Sequence, residues 1–67
     1  MWKMISTRIT DESGEEVETF GIRRGSTVVA DISVHRSEIK EFVDLLNRLD
    51  ASEIHAYELV EDFLGKY

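Results

Sequence analysis

The sequence predicts an α+β fold: a three-stranded antiparallel meander followed by two helices packed on one face of it, in the order β-β-β-α-α. Three observations carry that expectation. Apolar and polar residues alternate with a period of two between Trp2 and Ile32. Turn residues interrupt the alternation twice, at Asp11-Glu12-Ser13-Gly14 and at Gly25-Ser26. From Ile39 onward the apolar period lengthens to that of a helix. A run of strands followed by a run of helices is the α+β pattern, and 67 residues make a single domain, 1–67.

The first strand spans Trp2 to Thr10, rich in β-branched residues, with Ile5, Thr7 and Ile9 on one face and Trp2, Met4, Ser6 and Arg8 on the other. The second spans Val17 to Arg24, with Phe20 and Ile22 opposed to Val17, Thr19 and Arg23. Gly25-Ser26 is the Gly-X pair that suits a type II′ hairpin, and Thr27 to Ile32 returns as the third strand. Ile39, Phe42, Val43, Leu46 and Leu49 form the stripe of the first helix, with Ser37 as its N-cap and Ser33 as the alternative. Ser52 caps the second helix, whose stripe is Ala56, Tyr57, Val60, Phe63 and Leu64, and Gly65 is placed as the residue that ends it. The short connection makes the pair an αα-hairpin.

In the simplest assembly the helices cover Ile5, Ile9, Phe20, Ile22, Val28, Ala30 and Ile32, with Leu49 and Leu64 also in the core. The other sheet face then carries Trp2, Met4 and Val29, more apolar than a solvated face needs, and an exposed apolar patch marks a contact site. The reverse register, or a terminus folded over the sheet, is the alternative, because short strands fix register weakly.

A chain this short buries only roughly 60% of the surface its unfolded form exposes, so it leans on an efficient core or on association. Cysteine is absent, which removes disulfides and thiolate metal ligands and fits a reducing compartment. Hydrophobic residues are 42% and charged residues 33% of the chain, the balance of a globular domain. No apolar run approaches a membrane span, and Met1 to Arg8 contains no signal-peptide core, so a cytoplasmic location and no membrane partner are expected.

Net charge is −6 and unevenly placed: residues 1–40 hold six Lys/Arg against seven Asp/Glu, residues 41–67 two against seven. An acidic C-terminal half repels phosphate backbones, so nucleic acid is not an expected partner. It attracts basic proteins instead, and Glu58, Glu61 and Asp62 on the last helix are the carboxylates placed to do so.

Chemistry has little to work with. His35 and His55 have no second ligand at metal spacing. His35 with Asp31 and Ser33 or Ser37 makes a crowded triad with nothing to position a substrate. The acidic turn at 11–16 lacks the ligand alternation of a calcium loop. Arg23-Arg24-Gly25-Ser26-Thr27 lacks the features of a phosphate loop, and its arginines are expected to pair with Glu15, Glu16 or Glu18. No catalytic, cofactor or metal site is assigned.

Leu59-Val60-Glu61-Asp62-Phe63-Leu64, with His55 upstream, resembles the closing motif of a small uncharacterised domain family of anaerobic Firmicutes. Phe20-Gly21-Ile22 is similar to that family's aromatic-Gly-Ile strand, and Asp31-Ile32-Ser33 with Leu45, Asn47 and Leu49 to its strand-to-helix junction and first helix. Phe20 stands where the family pattern has tyrosine. The resemblance implies a bacterial cytosolic protein and no particular activity.

The expectation is thus a small, non-catalytic interaction or regulatory module. Its surface is Trp2, Met4 and Val29, or Glu58, Glu61 and Asp62; its partner is another protein or a second copy joined through the edge strands. The alternative is an acidic decoy for a basic or nucleic-acid-binding protein; a small enzyme ranks behind both.

Overall fold

The computed structural model describes residues 1–65. Strands β1 (Lys3–Thr10), β2 (Glu16–Arg24) and β3 (Thr27–Ser33) form one antiparallel sheet in the order β1-β2-β3, and helices α1 (Arg36–Arg48) and α2 (Glu53–Leu64) follow. The α+β meander expected from the sequence is therefore the fold of the chain. Gly25 opens the second turn at φ +59° while Ser26 stays on the negative side, the pairing a type II′ hairpin needs.

The register is not that of the simplest assembly but the reverse one, the alternative that short strands left open. Met4 stands opposite Ile22, Ile5 opposite Gly21 and Ser6 opposite Phe20. Side chains alternate along a strand, so this pairing puts Trp2 and Met4 on the face of Phe20 and Ile22, and Ile5 and Ile9 on the outer one. Trp2 is only 3% exposed, and Met4 and Val29 pack against the same buried cluster. The apolar surface expected at Trp2, Met4 and Val29 is the inside of the protein.

On β3 the alternation itself breaks. Val29 pairs with Ile22 and Ser33 with Phe20, so two steps along β2 match four along β3. This bulge contains Asp31 at φ +56°. It lets Val29 and Ile32, three residues apart, both turn inward, and leaves Val28 and Ala30 exposed where core positions were expected. The β3 backbone there lies hard against Gly21. A Cβ at residue 21 would overlap the Val29 carbonyl oxygen and stand 2.8 Å from the Ala30 α-carbon.

The helices cover the inner face. α1 packs across all three strands, and α2 lies mainly against β3. Ile22, Ile39 and Leu46 are fully buried, ringed by Phe20, Ile32, Phe42, Val43, Val60 and Phe63. The Phe42 and Phe63 rings tie the helices together with centroids 5.4 Å apart. On the outer face Thr19 is buried, its hydroxyl donating to the Thr7 carbonyl at 3.4 Å.

Helix ends depart from expectation in three places. Ser37 lies inside the first turn of α1, and the N-cap is His35, without a side-chain cap. Ser33 serves this end from outside: its Oγ accepts the His35 N–H at 3.0 Å and donates to Glu38 at 3.4 Å. Leu49 is the C-cap of α1 and is half exposed, because the helix closes there in a Schellman turn. The Ala51 N–H donates to Leu46 O at 3.0 Å, the Asp50 N–H to Asn47 O at 3.2 Å, and Asp50 takes φ +48°. Ala51 is thereby drawn inward against the core. Ser52 caps α2 as expected, accepting the His55 N–H at 3.2 Å. Gly65 follows at φ −69°, so α2 ends without a left-handed glycine.

Trp2 joins the two halves of the chain. Asn47 Oδ1 accepts the Trp2 N–H at 2.7 Å and Asn47 Nδ2 donates to the Trp2 carbonyl at 3.0 Å. The indole N–H donates to the Ala51 carbonyl at 2.9 Å, and Arg24 Nη1 donates to the same oxygen at 2.7 Å. The Arg24 guanidinium lies 5.9 Å from the indole centroid, within cation–π range.

Two substitutions test this account by urea denaturation. Gly21→Ala meets backbone rather than a yielding side chain, so it is expected to destabilise by at least the 1–3 kcal/mol typical of overpacking. An unchanged midpoint would remove the close approach of β3. Asn47→Ala loses two hydrogen bonds to part-buried main-chain groups, about 1 kcal/mol each, and an expected loss of about 2 kcal/mol. Asn47→Asp keeps the acceptor and loses the donor, and should fall between.

Candidate interaction surface

α2 is amphipathic in an unusual sense. Ala56, Val60 and Phe63 face the core, with Leu59 packed at its margin. The opposite side is not simply polar. Ile54 is 74% exposed, Tyr57 50% and Leu64 51%. At about 100° per residue, positions 54, 57, 61 and 64 run down one side of a helix. Glu58 and Glu61 therefore sit among exposed apolar side chains, with Glu53 and Asp62 exposed nearby. Tyr57 and Leu64, expected in the core stripe, belong to this surface, and Ile54 joins them. Helical spacing alone does not separate them from the core stripe, since Tyr57 precedes Val60 by three residues and Leu64 follows it by four.

The electrostatics of α2 run against its own helix dipole. Glu61 and Asp62 occupy the last turns, where the partial charge is negative, and that turn holds no basic residue. From Glu53 to Leu64 there is no Lys or Arg at all.

At its C-terminal end α2 meets the β3–α1 junction across an open cavity of about 330 Å³. Ile32, Ser33, Val34, His35, Glu38, Phe63 and Leu64 line it. Val34, 53% exposed, and Leu64 form part of its apolar rim. A neighbouring depression of about 260 Å³ shares Glu38 and Phe63 and adds Glu41, Phe42 and Leu45. The stripe on α2 thus runs into a cavity large enough for one apolar side chain.

The carboxylates expected at the surface, Glu58, Glu61 and Asp62, are exposed on α2. Trp2, Met4 and Val29 are not brought to them; they lie within or against the core. The outer sheet face carries Ile5, Ile9, Val17 and Val28 instead, of which Ile9 and Val28 are exposed.

The residues singled out for chemistry are engaged locally. Ser33 bonds the main-chain N–H of His35, not its imidazole. Arg23 donates to the Gly25 carbonyl at 3.0 Å and Arg24 to Ala51, so neither pairs with a carboxylate as expected. Arg8 pairs with Glu16 at 3.6 Å instead, because the register places Arg8 opposite Glu18 and Glu16 is the next residue on the same face, two positions along β2. Among the described residues no group of three or more His, Asp or Glu is placed to hold a metal ion. No helix there is long and apolar enough to cross a membrane. Asp11 shapes the first turn: its Oδ1 accepts from the Ser13 hydroxyl at 2.6 Å and from the Ser13 and Glu15 N–H groups at 2.9 Å. The Ser13 hydroxyl, then the Glu15 N–H, hold the Asp11 carboxyl below its ordinary value.

No family model, curated protein or solved structure matches the chain.

Asp11 provides a pH prediction. A carboxyl with a lowered folded-state pKa stabilises the fold above its unfolded value, and that contribution is lost as pH falls through the folded value. Followed by NMR, the Asp11 carboxyl should titrate below 3.8. Ser13→Ala should move the midpoint upward, since it deletes the largest cause. A wild-type midpoint at or above 3.8 would contradict the turn geometry.

Proposed function

We propose that this chain is a small protein-interaction module without catalytic activity, acting in the cytoplasm through the exposed side of α2. One observation carries the reading. Ile54, Tyr57 and Leu64 stand exposed on a helix that also buries Ala56, Val60 and Phe63. Burying that second apolar side is favourable at roughly 25 cal/mol per Å², and among the described residues no element covers it. The depressions beside α2, of about 260 and 330 Å³, are open to solvent, which suits recognition of a side chain better than enclosure of a small substrate. The absence of cysteine fits a reducing compartment.

The decoy reading, in which the acidic surface occupies a nucleic-acid-binding protein, draws on the charge of the C-terminal half. A surface that worked by charge alone would not need Ile54, Tyr57 and Leu64 in the open, so the apolar component favours a shaped interface.

Selection from a displayed library of random 16-residue peptides tests the proposal. Enriched peptides are expected to bind the wild-type protein and to lose at least tenfold in affinity for an Ile54→Asp/Leu64→Asp variant. An Ile9→Ser/Val28→Ser variant, altered on the outer sheet face, should bind them unchanged. Both positions in each pair are exposed, and circular dichroism checks the fold. No enrichment, or loss only with the sheet variant, would sink the reading.

A further inference from the structure

Resting on the reading of α2 as an interface, we infer that its partner is a cationic amphipathic helix whose largest apolar side chain enters the cavity beside Leu64. Charge decides the class of partner. The exposed side of α2 interleaves Glu58 and Glu61 with Ile54, Tyr57 and Leu64, and the helix carries no Lys or Arg between Glu53 and Leu64. A second copy of the chain would bring the same carboxylates against these, and like charges brought together in an interface are repelled. Nucleic acid and anionic lipid are repelled for the same reason. Lys and Arg side chains on a partner relieve the crowding of carboxylates at the negative end of α2, which the chain's own last turn does not do.

Shape decides the secondary structure. The exposed apolar positions Ile54, Tyr57 and Leu64 fall three and seven residues apart, with Glu61 in the gap, along about 15 Å of helix by helical rise. Another helix presents apolar residues at matching intervals, whereas an extended strand presents them every second residue. This side of α2 ends at the cavity of about 330 Å³ between Leu64 and Val34, floored by Ile32 and Phe63. An anchor side chain seated there is the buried centre of the contact, and Lys or Arg flanking it reach Glu58 and Glu61 from the rim.

The test uses three synthetic 16-residue peptides: a Leu/Lys amphipathic helix with one Trp anchor, a scrambled isomer of identical composition, and a Leu/Glu counterpart. Binding is followed by fluorescence anisotropy and mapped by amide NMR. The amphipathic cationic peptide is expected to bind at least tenfold more tightly than its isomer and to weaken between 50 and 500 mM salt. It should shift Val34, Tyr57 and Leu64. Glu58→Gln/Glu61→Gln should weaken binding at 50 mM salt and flatten its salt dependence, and Leu64→Ala should remove the preference for the helical isomer. Equal binding of the two isomers, or tighter binding of the Leu/Glu peptide, would overturn the inference. The library selection separates the two levels. Acidic or extended peptides that still depend on Ile54 and Leu64 leave the interface standing and refute this partner; peptides indifferent to both residues remove the interface itself.

Discussion

The Asn47 carboxamide holds Trp2, the residue that leads into β1, to the end of the first helix, and the rest of the fold depends on that clasp. Its oxygen and nitrogen bond the N–H and carbonyl of Trp2, as a neighbouring strand would. A side chain on α1 therefore fixes where β1 begins. With Trp2 held there, its indole is directed to the Ala51 carbonyl, and Arg24 closes over the ring from the end of β2. Sheet, first helix and interhelical turn meet in one group of three side chains, Trp2, Asn47 and Arg24, around the Ala51 carbonyl. These bonds link residues 45 and 49 positions apart in sequence. The entropy of ordering the terminus is offset by burial of the largest side chain in the protein together with satisfaction of its one polar atom.

Register follows from the same clasp. A one-residue slip of β1 against β2 would turn Trp2 to solvent and break its bonds to Asn47 and Ala51, so the ambiguity left by short strands is removed from outside the sheet. β3 is held differently. Its bulge depends on the missing side chain of Gly21, which allows Val29 and Ala30 to approach, and on Asp31 accepting a left-handed conformation. The interhelical turn repeats that device: Asp50 is left-handed, Ala51 folds inward, and the Ala51 carbonyl is presented to both Trp2 and Arg24. Aspartate tolerates this conformation better than most residues, but at a cost that only the surrounding contacts offset.

What the sequence disclosed was what local chemistry controls. Alternation and turn residues gave three strands in order; the period change and Ser52 gave the helices. What it concealed was set by long-range pairing. Nothing local says that Trp2 has a partner in Asn47, so Trp2, Met4 and Val29 fell on the wrong face. Nothing local separates a bulge at Asp31 from continued alternation, so Val28 and Ala30 were exchanged for Val29. Leu49 and Leu64 were placed inside because they extend an apolar stripe, whereas the Schellman turn and the shallow end of α2 leave both half exposed. Of the candidate surface, Glu58, Glu61 and Asp62 were legible as charge, while Ile54, Tyr57 and Val34 required the outline of the core to be known first.

That outline also gives the surface its meaning. In a chain this short each large apolar side chain outside the core is one the core could have used. On α2 the inner side is filled by Ala56, Val60 and Phe63, yet Ile54, Tyr57 and Leu64 remain outside the core. Its last turns carry carboxylates where the helix dipole disfavours them. Among the described residues no contact offsets either feature, and the proposed cationic partner would offset both. Local choices that conflict with stability concentrate where a protein meets something else. In this fold α2 is one such place: its outer side begins at Ile54, beside the Arg24 of the clasp, and runs to the cavity at Leu64.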